Sequence, residues 1–232
     1  MRPVIRGDVP LTPQGTPMVF RDYKEARDPL IGRIGDYCSY CENALHSDVD
    51  IEHVQPKTAK GGRPDLALTW DNFLLACTYC NRAKWQTPIA LDHYFWPDVD
   101  NSFRAFIYSK DAPPIPNSKL LPIDQDKAQQ TINLTGLDRV PGHPSWSDRD
   151  RRHVKRKEAY GNATLLFQMY KRREVTPLSI ALNAISRGFF SVWMTVFRDE
   201  IEVRKVLINQ FKAAGDCFDV NTEPVRRPGG QL

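Results

Sequence analysis

The sequence predicts an α+β fold: a small unit of two short strands and a helix held by four cysteines, followed by a mostly α-helical C-terminal part. Three observations predict it. Two C-x-x-C pairs, Cys38 with Cys41 in "YCSYCE" and Cys77 with Cys80 in "ACTYCN", bracket the small unit. Between them lie two apolar runs of strand length, "DVDIEHV" and "WDNFLLAC". After Ser145 the apolar residues recur at helical spacing.

The elements follow in order. Residues 1 to about 20 are rich in Pro and Gly without periodicity and read as an extended arm, and a short helix follows in which Tyr23, Ala26 and Leu30 to Ile34 supply the apolar positions, closing a first segment of 1–36. The cysteine-bracketed core spans 37–95. In it "DVDIEHV" reads as a strand with Val49, Ile51 and Val54 buried, "QPKTAKGGRPDLAL" as a loop, "WDNFLLAC" as a second strand, and "TYCNRAKWQ" as a helix opening at Thr78. An irregular connector, 96–145, holds short strands such as "SFRAFIYS" and a helix over "DKAQQTINLTGL" that Gly136 ends. The helical region, 146–216, contains one helix from about Ser147 to Arg173 and a second starting at Thr176-Pro177. Leu178, Leu182, Ile185, Phe189, Trp193, Val196 and Phe197 in the second read as core. Residues 217–232, with "TEPVRRPGGQL", read as a flexible tail.

Composition bounds the function. The chain has 232 residues, 41% hydrophobic and 26% charged, ordinary for a globular protein with a sizeable core. No apolar run approaches the length of a membrane span, and "MRPVIRGDVPLTPQG" lacks the apolar core of a secretory signal, so the expectation is a cytoplasmic protein with no membrane partner. Net charge is only +4, yet Ser147 to Glu174 carries nine basic residues against four acidic. Such a segment is either a solvated helix face or a phosphate-contacting surface.

Without an export signal, two C-x-x-C pairs fit a tetrahedral four-thiolate zinc site better than disulfides, a redox dithiol being the alternative. Cys217 stands apart and reads as a small buried hydrophobe. The stretch "DIEHVQPK" sets Glu52 beside His53 at the end of a strand, where adjacent side chains point to opposite faces, so a shared site requires the backbone to turn there.

Taken together, "CSYCE", "DIEHVQPK" and "WDNFLLACTYCNRAK" resemble the HNH endonuclease family, in its zinc-knuckled branch with the ββα-metal core. The resemblance runs from about Tyr37 to Trp85. It implies that His53 is the general base, an imidazole titrating near neutrality being able to take a proton from water. Glu52 and Asn81 then take the places of the catalytic metal's ligands. Asn72 braces the loop that holds the base, and Lys84 is placed for a phosphate oxygen. Two protein ligands leave positions for water and phosphate oxygens, which suits Mg²⁺ or Mn²⁺. Zinc on Cys38, Cys41, Cys77 and Cys80 is structural in this scheme.

The implied activity is hydrolysis of DNA phosphodiester bonds, by nicking or double-strand cleavage. Duplex DNA would be bound mainly through phosphates, by Lys57 and by Arg151, Arg152, Lys155 and Arg156 of the basic helix. The whole chain also looks similar to HNH effectors of bacterial anti-phage defence systems, which implies an ATPase or sensor protein as partner, for which the Leu178 to Phe211 stripe would offer an interface if exposed. Two alternatives remain: a zinc-stabilised nucleic-acid-binding module with a silent nuclease motif, and a nuclease directed at RNA. Oligomeric state is open. His46, His143 and His153 read as ordinary loop or helix residues, His93 as a candidate to approach substrate, and Trp85 and Trp96 as packing residues.

Overall fold

The apolar spacing of the first segment produces α1 (Arg27–Ile34), entered through a 3-10 turn at Tyr23–Ala26 and burying Ala26, Leu30 and Ile34. The computed structural model describes residues 1–46, 49–58, 61–85 and 87–232. Of the expected loop after the first strand, Ala59 and Lys60 lie outside the described residues, as does Gln86 beyond the core helix.

The two strand-length runs form an antiparallel pair, β1 (Asp50–His53) and β2 (Phe73–Ala76), with Asp50 opposite Ala76 and His53 opposite Phe73. Every residue of β2 is buried, which its unbroken apolar run requires. Helix α2 (Thr78–Lys84) follows directly, with Cys77 as N-cap, its sulfur accepting from the Cys80 amide at 3.5 Å. Strand, strand and helix thus form a ββα unit.

The connector contributes α3 (Ser102–Ala105), a short pair of β3 (Phe106–Ile107) with β4 (Ile115–Pro116), and α4 (Pro122–Thr135). "SFRAFIYS" is therefore a helical turn running into a two-residue strand rather than one strand. Gly136 ends α4 at φ 60°, where its amide returns to the Asn133 and Ile132 carbonyls, as a left-handed C-cap requires.

Helix α5 (Arg152–Lys171) opens the last part, five residues later than the sequence reading placed it. The single long helix expected after Thr176 is instead three: α6 (Pro177–Arg187), α7 (Phe190–Val196) and α8 (Ile201–Gln210). Thr176 and Ser179 do form the capping box at its start. The break after Arg187 has a local cause. Gly188 sits at φ 79°, where a Cβ would lie 2.3 Å from the Glu42 carbonyl oxygen, and Phe189 adopts φ 61° with its amide donating to that same carbonyl at 2.7 Å. Close approach to the first cysteine knuckle overrides helix propensity there.

Two apolar cores result. One joins α1, the ββα unit, α4 and the C-terminal Leu232; the other joins α5 to α8 around Phe190, Trp193 and Phe197. Most of the Leu178 to Phe211 stripe is thereby buried, with Leu178, Leu182 and Ile201 left exposed. The supposed tail is also a correction: Asn101 Nδ2 donates to the Cys217 and Val225 carbonyls, Arg227 Nη1 to the Val4 carbonyl, and Leu232 is buried. The Pro and Gly that suggested disorder shape turns that bring the segment back onto the first core. The N-terminal arm likewise begins inside the protein, with Met1, Arg2 and Val4 buried and Arg2 donating to the Ile34 and Phe211 carbonyls. Among the described residues no helix is long and apolar enough to cross a membrane.

Candidate nuclease site and zinc centre

The four cysteines converge. Their sulfurs lie within 4.8 Å of one another, all buried, with Cys41 and Cys77 Sγ 3.7 Å apart. Sulfurs each about 2.3 Å from one ion at tetrahedral angles stand at nearly that separation, so the cluster has the dimensions of a Cys₄ zinc site. Burial pushes the Cys41 and Cys80 thiols well above their ordinary values. Four such sulfurs become thiolates favourably when a divalent cation supplies the opposing charge. Amides of Cys41 and Cys80 point at the Cys38 and Cys77 sulfurs, and Arg152 Nη1 donates to Cys80 Sγ at 3.0 Å. That outer layer of donors is what a thiolate site uses to hold its ligands in orientation.

Arg152 and Arg156 correct the sequence reading. The Arg152 side chain is buried, held by both oxygens of Asp150 and by the Thr135 and Gly136 carbonyls, and serves the cysteine cluster. Arg156 is buried as well. Helical spacing puts positions 152 and 156 on the inward face of α5, while Arg151 and Lys155 stay exposed and available to a polyanion. Charge counting along the chain does not distinguish these faces.

At the open side of the ββα unit, Glu52, His53, Asn81, Lys84 and Lys57 line one cavity of about 200 Å³, together with Tyr23 and Trp85. His53 Nε2 lies 3.0 Å from the Ala67 carbonyl, which can only accept, so Nε2 carries the proton and Nδ1 keeps its lone pair. The ring is wedged edge-on between Tyr23 and Phe73. Burial, aided by Lys57 and Lys84, lowers its pKa against the pull of the Ala67 carbonyl, so the imidazole is neutral at neutral pH.

Glu52 is 2% exposed, and Lys84, at 1%, pairs with it: Nζ stands 2.8 Å from Oε1 and donates to the His53 carbonyl at the same distance. Lys84 therefore lies under the site, against its expected place at a substrate phosphate, because the last turn of α2 packs over β1. Tyr40 also donates to Oε1, at 3.3 Å. Both contacts use one carboxylate oxygen. Oε2 makes no hydrogen bond among the described residues, and neither does Oδ1 of Asn81, whose amide nitrogen donates to Asp50 Oδ2 at 3.4 Å. Two spare oxygens of hard character, with an anchored carboxylate behind one of them, fit a Mg²⁺ or Mn²⁺ ion. Burial raises the Glu52 carboxyl above its ordinary value despite Lys84.

Asp50 is the residue the sequence reading passed over. It shares Glu52's face of β1 by strand alternation and touches Asn81, and the period-two pattern of "DIE" was the signal for it. Asn72 lies outside the cavity. Its Oδ1 accepts from the Gln55 amide at 2.7 Å, and its Nδ2 donates to the Gln55 and Leu66 carbonyls, so it ties both ends of the loop between the strands. Trp96 packs inside, but Trp85 is 68% exposed with φ 46° at the end of α2, on the cavity rim. Lys57 Nζ sits 3.5 Å over the Tyr23 ring on the same rim. His93 is not among the cavity's residues.

With a ββα unit, a Cys₄ cluster and this cavity in place, the comparison with known families falls on the same stretch: residues 38–86 match the model of the HNH endonucleases, and the segment is an HNH endonuclease domain. The chain is also 37% identical over 65 residues to a protein named "Retron Vc95 putative HNH endonuclease" from Vibrio cholerae serotype O1 biovar El Tor. That match covers 28% of this chain and 31% of the relative, so the chain spans about a third of the length of the curated relative it matches.

Proposed function

We propose that this chain is a metal-dependent endonuclease that hydrolyses DNA phosphodiester bonds, with His53 as general base. The observation that carries the reading is the shared cavity: a neutral imidazole fixed through Nε2 on the Ala67 carbonyl, beside the spare oxygens of Glu52 and Asn81. His53 Nδ1 takes the proton from a water that attacks phosphorus. Glu52 and Asn81 would hold a divalent ion, which would supply neutralisation of charge on the phosphate and on the departing oxygen. Lys84 fixes Glu52 from beneath, Asn72 keeps the loop carrying the base in register, and Lys57, Arg151 and Lys155 meet backbone phosphates. The four cysteines keep zinc as a structural tie.

The name of the retron relative supports a place in a bacterial defence system; an ATPase or sensor protein as controlling partner and a cytoplasmic setting belong to the proposal. One observation favours a second reading, a silent nucleic-acid-binding module: the Glu52 carboxylate already has a buried cationic partner in Lys84. Supercoiled plasmid and a single-stranded RNA, each incubated with Mg²⁺ or Mn²⁺ beside a His53→Ala variant, separate the cases. Nicked or linear plasmid from the wild type alone supports the proposal. Retarded but intact plasmid with both proteins favours the binding module, and RNA cut in preference to plasmid moves the substrate.

A further inference from the structure

Away from the nuclease cavity, α5 borders a second and larger one of about 720 Å³, between its first turns, the Lys110–Ala112 loop and Val140-Pro141. Its walls combine apolar side chains, Val140, Pro141 and Val154, with a cationic set. Arg156 is the unusual member. It is 6% exposed, yet its guanidinium makes no hydrogen bond and no ion pair among the described residues. A guanidinium carries five donors, and a buried one is ordinarily paired because stripping its water without replacement costs several kcal/mol. Arg152, one turn earlier, shows how this chain satisfies a buried arginine when the role is structural: a carboxylate and two carbonyls take its donors.

A second group on the same wall is also left over, since His153 Nδ1 is buried and has no hydrogen-bond partner. No carboxylate pairs directly with Arg156 among the described residues: Asp111 is held by Lys157 Nζ at 2.7 Å, Glu158 makes no ion pair with it, and Glu42 acts on it only through its field from the inner side. Lys110 and Lys157 add positive charge at the mouth. Burial pulls the Arg156 guanidinium below its ordinary pKa, outweighing the opposing influence of Tyr108, Cys41 and Glu42.

We propose that this cavity is a binding site for a small phosphate-bearing ligand of nucleotide size, with the Arg156 guanidinium as its anion contact. The guanidinium fork matches phosphate oxygens in pairs. The volume lies within the ordinary range of small-ligand sites, with room for an organic group against Val140, Pro141 and Val154 beside the phosphate. A duplex backbone presents its phosphates on a convex surface and meets exposed cations such as Arg151 and Lys155, not a buried arginine in a cavity wall. The inference is independent of the nuclease reading, because binding is measured without cleavage.

The test is thermal unfolding of the full, zinc-loaded chain without added Mg²⁺, in the presence of ATP, pyrophosphate, adenosine or a short duplex lacking terminal phosphates. ATP and pyrophosphate are expected to raise Tm in a concentration-dependent way, and adenosine to leave it unchanged. Arg156→Met is expected to abolish the shift while holding the ligand-free Tm near the wild-type value, since no hydrogen bond or ion pair of the guanidinium to the described residues is lost. Lys157→Ala, at an exposed position, is expected to weaken ATP binding roughly tenfold, as for loss of one contact to a charged group. The proposal is overturned if neither phosphate ligand shifts Tm, if the shift survives Arg156→Met, or if only the duplex produces an Arg156-dependent shift. A large fall in the ligand-free Tm of Arg156→Met also overturns it, by giving the arginine a structural role.

Discussion

Replacing Lys84 by Met tests whether this lysine is a foundation of the site or a hand reaching for substrate. Both members of its pair with Glu52 are almost wholly out of water, with Nζ 2.8 Å from Oε1. Removing one partner of a buried ion pair leaves the other charge uncompensated, which costs about 3–5 kcal/mol. The His53 carbonyl loses its donor in the same step, a cost of about 1–3 kcal/mol that overlaps with the first because the two contacts share one ammonium. The expected loss is therefore about 3–5 kcal/mol, read as a lowered urea midpoint of the zinc-loaded protein at unchanged slope. Adding Glu52→Gln to Lys84→Met removes the orphaned charge and should recover more than half of the loss. A single-variant loss below about 1 kcal/mol, the size typical of exposed pairs, would refute the buried arrangement and return Lys84 to a phosphate-contacting role.

Other outcomes follow from the same coordinates. Because burial lowers the pKa of His53, cleavage should persist below the ordinary histidine value of about 6.5 and fall only as pH passes through the lowered one. A rate profile at saturating metal that already declines above pH 6.5 would contradict this. Stability carries the same sign: the unfolded chain protonates this histidine first, so its contribution is present above about pH 6.5 and is lost as pH falls toward the folded value. Arg152→Met should loosen zinc by roughly 10–100-fold in a chelator competition, through loss of the bond to Cys80 Sγ, without altering the salt dependence of DNA binding. Arg151→Ala with Lys155→Ala should do the reverse, lowering the slope of log affinity against log salt by roughly two while zinc affinity holds. Gly188→Ala, which forces a Cβ to 2.3 Å from the Glu42 carbonyl at φ 79°, should lower Tm far more than the same change at exposed Gly15, where nothing stands within 4 Å.

The parts of this protein that were readable in the sequence are those fixed by local chemistry. Cysteine spacing located the four-cysteine cluster, the run before Cys77 located β2, Gly136 marked the end of α4, and Thr176-Pro177 marked the start of α6. What could not be read depends on which distant segment covers a residue. Arg152 and Arg151 are neighbours in a basic run, yet one meets a cysteine and two carbonyls of other elements while the other faces water. Lys84 has the right type and spacing for a phosphate contact, and only the packing of α2 on β1 shows that Glu52 holds it. The helix break at Gly188 and the docking of residues 217–232 are likewise decisions of tertiary contact, in which a Gly or Pro that suggests looseness serves a tight approach.

The most direct measurement is the rate at which the purified, zinc-loaded chain converts supercoiled plasmid to nicked or linear form in Mg²⁺ or Mn²⁺, wild type against a folded His53→Ala variant that retains its zinc. The account predicts metal-dependent conversion by the wild type and a loss of at least about 100-fold in the variant, as for removal of a general base. Equal rates from the two proteins, or no conversion of any phosphodiester substrate by a wild type that holds its zinc, would contradict it.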